Sequence, residues 1–154
     1  MTYDIVDLAD VADLADTCAS WSFGMWGCQS GGSLEQTRAD FATAARPGQT
    51  FATFVARSGG KPAGMASLRA TDFAGRPDLT PWLASVYVHP EHRHAGLAHA
   101  LVRRVEAQAR SVGYQCLYLI SEQAETLYAG LGWGTFDRVT GPHGPAVLMK
   151  TDLV

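Results

Sequence analysis

The sequence predicts an α/β fold, a mixed β-sheet in one layer with helices on its faces. Three observations carry that expectation. Helical and strand periodicities alternate along the chain. A strand–helix–strand unit over 82–120 calls for a parallel pair with a right-handed crossover. The strands outside that unit read as antiparallel. At 154 residues the chain suits one domain, 1–154, large enough to hold a core without staples.

The elements follow in order. Residues 7–18 read as a first helix, because Leu8, Val11, Ala12, Ala15 and Cys18 recur at helical spacing and Asp7 can cap it. Asp4, Asp7, Asp10, Asp13 and Asp16 recur every three residues. That period drifts around an α-helix, so they read as solvated positions, not a metal site. A Trp- and Gly-rich loop follows. Ser33 opens a second helix to about residue 45, with Ser33 and Gln36 as a capping-box pair. Residues 50–57 alternate as a strand, Ser58-Gly59-Gly60-Lys61 turns the chain, and 63–68 return. A loop over 72–81 carries Gly75, Pro77 and Pro81. Residues 82–88 form an apolar strand and 90–95 a turn. The helix over 96–112 presents Leu97, Leu101, Val105, Ala109 and Val112 on one stripe, with Gly113 suited to end it. Residues 114–120 form another strand. Ala124, Leu127, Tyr128 and Leu131 mark a short helix. Strands over 134–139 and 146–149 flank a Gly-Pro-His-Gly-Pro turn.

Composition excludes several classes. Hydrophobic residues make up 47% and charged residues 18%, which is not the profile of a disordered chain. The net charge of −3 argues against a general nucleic-acid binder, because phosphate binding draws on excess Lys and Arg. No apolar run approaches the ~18–20 residues of a membrane span. Cys18, Cys28 and Cys116 are odd in number and lack CxxC spacing, so they read as reduced thiols. The acidic opening, Asp4 and Asp7, does not suit a signal peptide, and a cytoplasmic location is expected.

The segment from Trp82 to Ala98 carries the chemistry. A buried strand runs into a tight turn and then a helix. Residues 93–98 read Arg-x-x-Gly-x-Ala, with small residues where backbone must approach a ligand closely. A helix N-terminus offers unpaired N–H groups and partial positive charge, a geometry that binds phosphate. Arg93, Arg103 and Arg104 add positive potential. The segment is neither a Walker A loop nor a GxGxxG fingerprint. Physics alone leaves two readings, an anion site or a plain strand–turn–helix connection.

Val88-x-Pro90-x-x-Arg93-x-x-Gly96-x-Ala98 resembles the acetyl-CoA signature of the GNAT N-acetyltransferase superfamily, Q/R-x-x-G-x-G/A after a strand ending V-x-P. Further on, Leu127-Tyr128-Ala129-Gly130-Leu131-Gly132-Trp133 resembles the family's second motif, an aromatic-Tyr-x-x-x-Gly-Phe/Trp pattern. The resemblance covers the C-terminal half, and the N-terminal half agrees in layout only. It implies the GNAT fold and acetyl-CoA as cosubstrate. The pyrophosphate cradle then falls on the backbone of Arg93, His94, Ala95, Gly96, Leu97, Ala98 and His99. Val86, Tyr87 and Val88 would pair with pantetheine as in strand addition, and an N–H from that strand would polarise the thioester carbonyl.

The resemblance further implies acetyl transfer to a primary amine of a small molecule or peptide, with Tyr128 as general acid toward the departing thiolate. Without the family, Tyr128 reads as a core aromatic at helical spacing. The usual strand carboxylate is absent, since Ala84-Ser85 and Leu117-Tyr118 stand near its places. Asp72, Asp78 and Glu122 remain as base candidates, or none if the amine has a low pKa. Asp72 leads them because it follows the hairpin strand at the expected acceptor mouth. Trp21, Phe23, Trp26 and Trp82 are candidate walls of the acceptor pocket, with core packing the alternative. His89, His92, His94 and His99 lie in or beside the phosphate turn without a Cys or carboxylate to complete a site, so no metal is expected. Family members often pair through sheet edges or C-terminal strands, which makes a homodimer an expectation. The alternatives are an acyl-CoA-binding module without catalysis and an unrelated phosphate-binding α/β domain.

Overall fold

A computed structural model describes residues 2–154. Seven strands form one sheet in the order β1-β2-β3-β4-β5-β7-β6. They are β1 (Tyr3–Asp7), β2 (Thr53–Ser58), β3 (Lys61–Arg69), β4 (Trp82–Val88), β5 (Cys116–Ser121), β6 (Gly134–Gly141) and β7 (Gly144–Asp152). The helices are α1 (Ala15–Ser22), α2 (Leu34–Ala44), α3 (Leu97–Ser111) and α4 (Glu125–Gly130). Only β4 and β5 run parallel, joined through α3, and every other pair is antiparallel. The mixed sheet expected from the sequence is therefore present. No helix among the described residues is long and apolar enough to cross a membrane.

The first stretch departs from expectation. β1 is an additional edge strand, with Tyr3 opposite Ser58 and Asp7 opposite Phe54. The helix expected over 7–18 is a 3-10 helix, Leu8–Leu14, broken at Val11 (φ −137°), and only then α1. Asp10 and Asp13 are exposed on either side of that break, and Asp7 caps the turn by accepting the Ala9 N–H at 2.9 Å. α1 then runs into a π-helical turn, Phe23–Gly27, where a loop was expected. Ser33 caps α2 by accepting the Gln36 N–H at 3.0 Å. The capping box is only half formed, because the Gln36 side chain donates to Asp40.

Strand alternation splits the core across the two faces of the sheet. Phe54, Leu68, Leu83, Leu117, Leu119 and Met149 pack with Leu97, Leu101, Val105 and Ala109 of α3. Val55 and Met65 face the other way, against Leu8, Cys18 and Phe41 of the N-terminal helical layer. Val112, placed on the α3 stripe from its spacing, is 42% exposed, because the helix ends just before it.

One buried charge sits in the α3 layer. Glu106 accepts from Arg103 Nη1 at 2.9 Å and from the indole Nε1 of Trp133 at 3.1 Å. Trp133 is itself buried, so losing the carboxylate strands an indole N–H in the core. Glu106→Ala is expected to cost about 1–3 kcal/mol in urea denaturation, with Glu106→Gln recovering much of it.

Candidate functional site

The site is built where β4 hands the chain to α3. His89 opens a short 3-10 turn, Pro90–His92, by accepting the Glu91 N–H on Nδ1 at 3.1 Å, with Pro90 at the start of the turn. Arg93 Nε donates back to the Val88 carbonyl at 3.0 Å and fixes the turn to the end of β4. His94 (φ 65°) and Gly96 (φ 77°) are both left-handed, so they rotate successive peptide groups and gather their N–H groups on one side. Among the described residues, no hydrogen bond takes up the main-chain N–H groups of residues 93–99. No side chain caps α3. A Cβ built on Gly96 meets no atom within 4 Å, so the space beside this residue is open. Leu97 is buried and anchors the start of the helix. This surface has the donors, the helix-end potential and the room that a diphosphate needs. Arg103 and Arg104 are committed elsewhere, the first to Glu106 and the second over the Phe54 ring at 4.1 Å.

β4 also opens the sheet. Its pairing with β3 slips by one residue between Met65 and Ser67, so Ser85 and Val86 together face Ala66. Ser85 has φ 56°, a left-handed bulge that turns the strand. On its other side β4 meets β5 at a single rung, Trp82 opposite Tyr118. Beyond that rung the strands diverge, leaving the β5-facing edge of residues 86–88 without a strand partner. Val86 and Val88 pack toward the α3 core, and Tyr87 lies against Trp21 on the opposite face with ring centroids 5.0 Å apart. An edge of this kind accepts an extended ligand by strand addition.

A cavity of about 440 Å³ lies beside the bulge, between the N-terminal helices and the end of β3. Ser85, Asp72, Arg69, Asp40, Phe41 and Phe51 are among its lining residues. Asp72 is exposed at the cavity, with protein packed densely around it. Enclosure pushes its carboxyl up to about 6; the Arg69 charge opposes that rise and the Glu122 charge adds to it. Tyr128, on α4, is 7% exposed. Its phenol is pushed up to about 12, first by burial and then by the Asp72 charge, so the two groups lie within electrostatic reach of each other. A carboxyl raised toward neutrality and a phenol that stays protonated have the proton affinities that a base and an acid require.

The other expected residues fall as follows. Asp78 is exposed and paired with Arg76 at 2.9 Å, and that hydrogen bond holds its carboxyl below the usual range. Glu122 is exposed and does not line the cavity. Trp82 is fully buried, donates Nε1 to the Leu79 carbonyl at 2.8 Å and faces Tyr118, so it is a core residue and not a pocket wall. Trp26 is half-buried against the Leu8–Phe41 cluster and does not line the cavity either. The aromatic walls are instead Phe41 and Phe51. Arg69 also went unmarked in the sequence. Its only signal there is a charge at the end of an apolar strand, three residues before Asp72.

The histidines divide. His94 and His99 are exposed. His89 and His92 come together with Glu91, ligand atoms within 4.8 Å of one another, so the expected absence of a carboxylate beside the histidines is corrected. Both rings already have work to do. His89 Nδ1 caps the turn, and His92 Nδ1 shares a hydrogen bond with the Tyr3 hydroxyl at 3.3 Å. With Nδ1 accepting, the neutral His89 ring carries its proton on Nε2 and has no second lone pair to offer.

The acetyltransferase (GNAT) family profile matches residues 13–133, and the chain belongs to that family. No curated protein matches the sequence. Solved structures resemble it in fold. An aminoglycoside 6'-N-acetyltransferase complexed with coenzyme A is 13% identical with a TM-score of 0.76, covering 100% of this chain and 98% of its own. A phosphinothricin acetyltransferase from Sinorhizobium meliloti in complex with acetyl-CoA is 20% identical with a TM-score of 0.72, covering 99% and 89%. An N-acetyltransferase from Staphylococcus aureus Mu50 is 18% identical with a TM-score of 0.70, covering 100% of both chains.

Proposed function

We propose that this chain is an acetyl-CoA-dependent N-acetyltransferase that acts on a primary amine of a small molecule or peptide by direct attack. The observation that carries the reading is the run of unclaimed N–H groups over residues 93–99 beside an open strand edge. Family membership supports it, as do the coenzyme A and acetyl-CoA complexes of the similar structures.

Each part of the site has a task. The N–H groups of residues 93–99 hold the diphosphate, and residues 86–88 hold the pantetheine amides. Acetyl-CoA supplies an activated acyl thioester. Asp72 takes the proton that the attacking amine loses as the C–N bond forms. Tyr128 donates a proton to the sulfur as the C–S bond breaks, which leaves free thiol and an amide. The cavity beside Ser85 holds the acceptor.

The test has two stages. Calorimetry should show binding of acetyl-CoA and not of ATP or NAD; the reverse selectivity removes the reading. Thiol release from acetyl-CoA across an amine panel then separates an enzyme from a binding module that does not catalyse. Asp72 and Tyr128, within electrostatic reach of each other, favour the enzyme. Tyr128→Phe keeps the packing and removes the proton. It is expected to lower kcat by about a hundredfold while acetyl-CoA still binds. Unchanged turnover across pH would assign Tyr128 to the core alone.

A further inference from the structure

Arg69 is the feature that the proposed chemistry leaves unused. It stands at the end of β3, half-buried, and lines the cavity that Asp72 and Ser85 share. It lies over the face of Phe41, 5.0 Å from the ring centroid, which holds it in place without satisfying its N–H donors. Among the described residues, no hydrogen bond reaches its side chain and no carboxylate comes within 4.0 Å of it. Arg57, Arg76 and Arg103, by contrast, pair with Asp4, Asp78 and Glu106.

Asp40 and Asp72 favour its charge from a distance, but neither makes contact with it. Asp40 is exposed and accepts the Gln36 side-chain amide at 2.9 Å. Cys18 lies behind it, and burial pushes that thiol up to about 12, so it is neutral in the working range. Asp72 shares the cavity without forming an ion pair. A half-buried guanidinium without a contact partner keeps its donors available, and a ligand anion can complete such a site. The planar fork of Arg matches a carboxylate with two parallel hydrogen bonds.

We propose that Arg69 receives a carboxylate of the acceptor, which makes the acceptor a small amino acid presented with its amine toward Asp72. The inference rests on the reading of the cavity as the acceptor site and narrows it to one substrate class. Phe41 and Phe51 supply apolar wall for the part of the molecule between or beside the two polar ends. A site built around a bidentate anion contact rejects the analogue that lacks the anion, because the arginine is then left bare.

The experiment pairs each of the twenty protein amino acids, β-alanine and γ-aminobutyrate with the amine that lacks its carboxylate. Thiol release from acetyl-CoA is measured for both. The expected result is at least one amino acid whose kcat/KM exceeds that of its paired amine by about tenfold to a hundredfold, the range of a charge-assisted bidentate contact. In Arg69→Gln that ratio falls to near one, and in Arg69→Lys it is intermediate. Calorimetry with the N-acetylated amino acids gives a readout free of turnover: binding to the wild type, and loss of at least about tenfold in Arg69→Gln. The paired amines serving as well as the amino acids overturns the assignment, as does an unchanged ratio in Arg69→Gln. Those outcomes leave the acetyltransferase reading standing. That reading fails separately, if no amine of either class releases thiol although acetyl-CoA binds. Amino acids that neither react nor bind in N-acetylated form overturn the Arg69 assignment as well.

Discussion

Gly96→Glu is expected to lower acetyl-CoA affinity by about a hundredfold or more, because a like charge placed on an anion site costs several kcal/mol. Two effects combine in this variant. The left-handed backbone at φ 77° strains any side chain, at about 1–2 kcal/mol. The carboxylate then points its charge into the donors of residues 93–99. Gly96→Ala carries the strain without the charge, and a Cβ there meets no protein atom. Calorimetry on the two variants separates the terms. The alanine variant should lose part of the affinity and the glutamate variant nearly all of it. Thermal melting should show both folded, since Gly96 packs against nothing. Wild-type affinity in the glutamate variant would falsify the placement of the diphosphate.

Asp72→Asn is expected to lower kcat by about 10²- to 10⁴-fold, the usual range for a lost general base. In the wild type, kcat/KM should rise as pH passes through about 6, where the carboxyl becomes a base. The asparagine variant should lack that limb. Stability moves the opposite way. The folded-state pKa of Asp72 stands above its ordinary value of 3.8, so folding favours the protonated form. The associated stability is complete below about pH 4 and is lost as pH rises through about 6. Asparagine removes that penalty at neutral pH. Because the group faces cavity water, the gain is about 1 kcal/mol after screening. A variant that is slower and slightly more stable at pH 7.5, but not at pH 4, is the signature of a carboxylate held for chemistry. Equal activity in the asparagine variant moves the base elsewhere.

The parts of the site made of backbone were legible in the sequence. β4 begins and ends at Trp82 and Val88 as its apolar run indicates, and the turn at Pro90–Gly96 is written in residues chosen for their conformations. These features are local, so a motif reports them. The cavity is not local. It depends on an extra residue at Ser85, and nothing in Ala84-Ser85-Val86 announces a bulge. The bulge brings Ser85 alongside Arg69 and Asp72 from the preceding strand end and Phe41 from α2. Only tertiary placement joins them. Trp82 shows the converse error. Its position at a strand start beside the expected acceptor mouth suggests a wall, yet strand alternation and the Leu79 hydrogen bond turn the indole inward. β1 escaped notice because five residues with two aspartates make a weak pattern, and a partner from residues 54–58 decides it.

The divergence of β4 from β5 has a consequence for how the protein meets other molecules. Sheet flanks invite any neighbouring polypeptide to zip on, and proteins blunt them with charge, proline or brevity. Here the unzipped border lies inside the molecule, walled by helices on either face. On the proposed reading an amide-bearing tether, and not a neighbouring sheet, zips onto it. The same main-chain groups that threaten aggregation at a periphery would thus serve, between the helices, to hold a ligand.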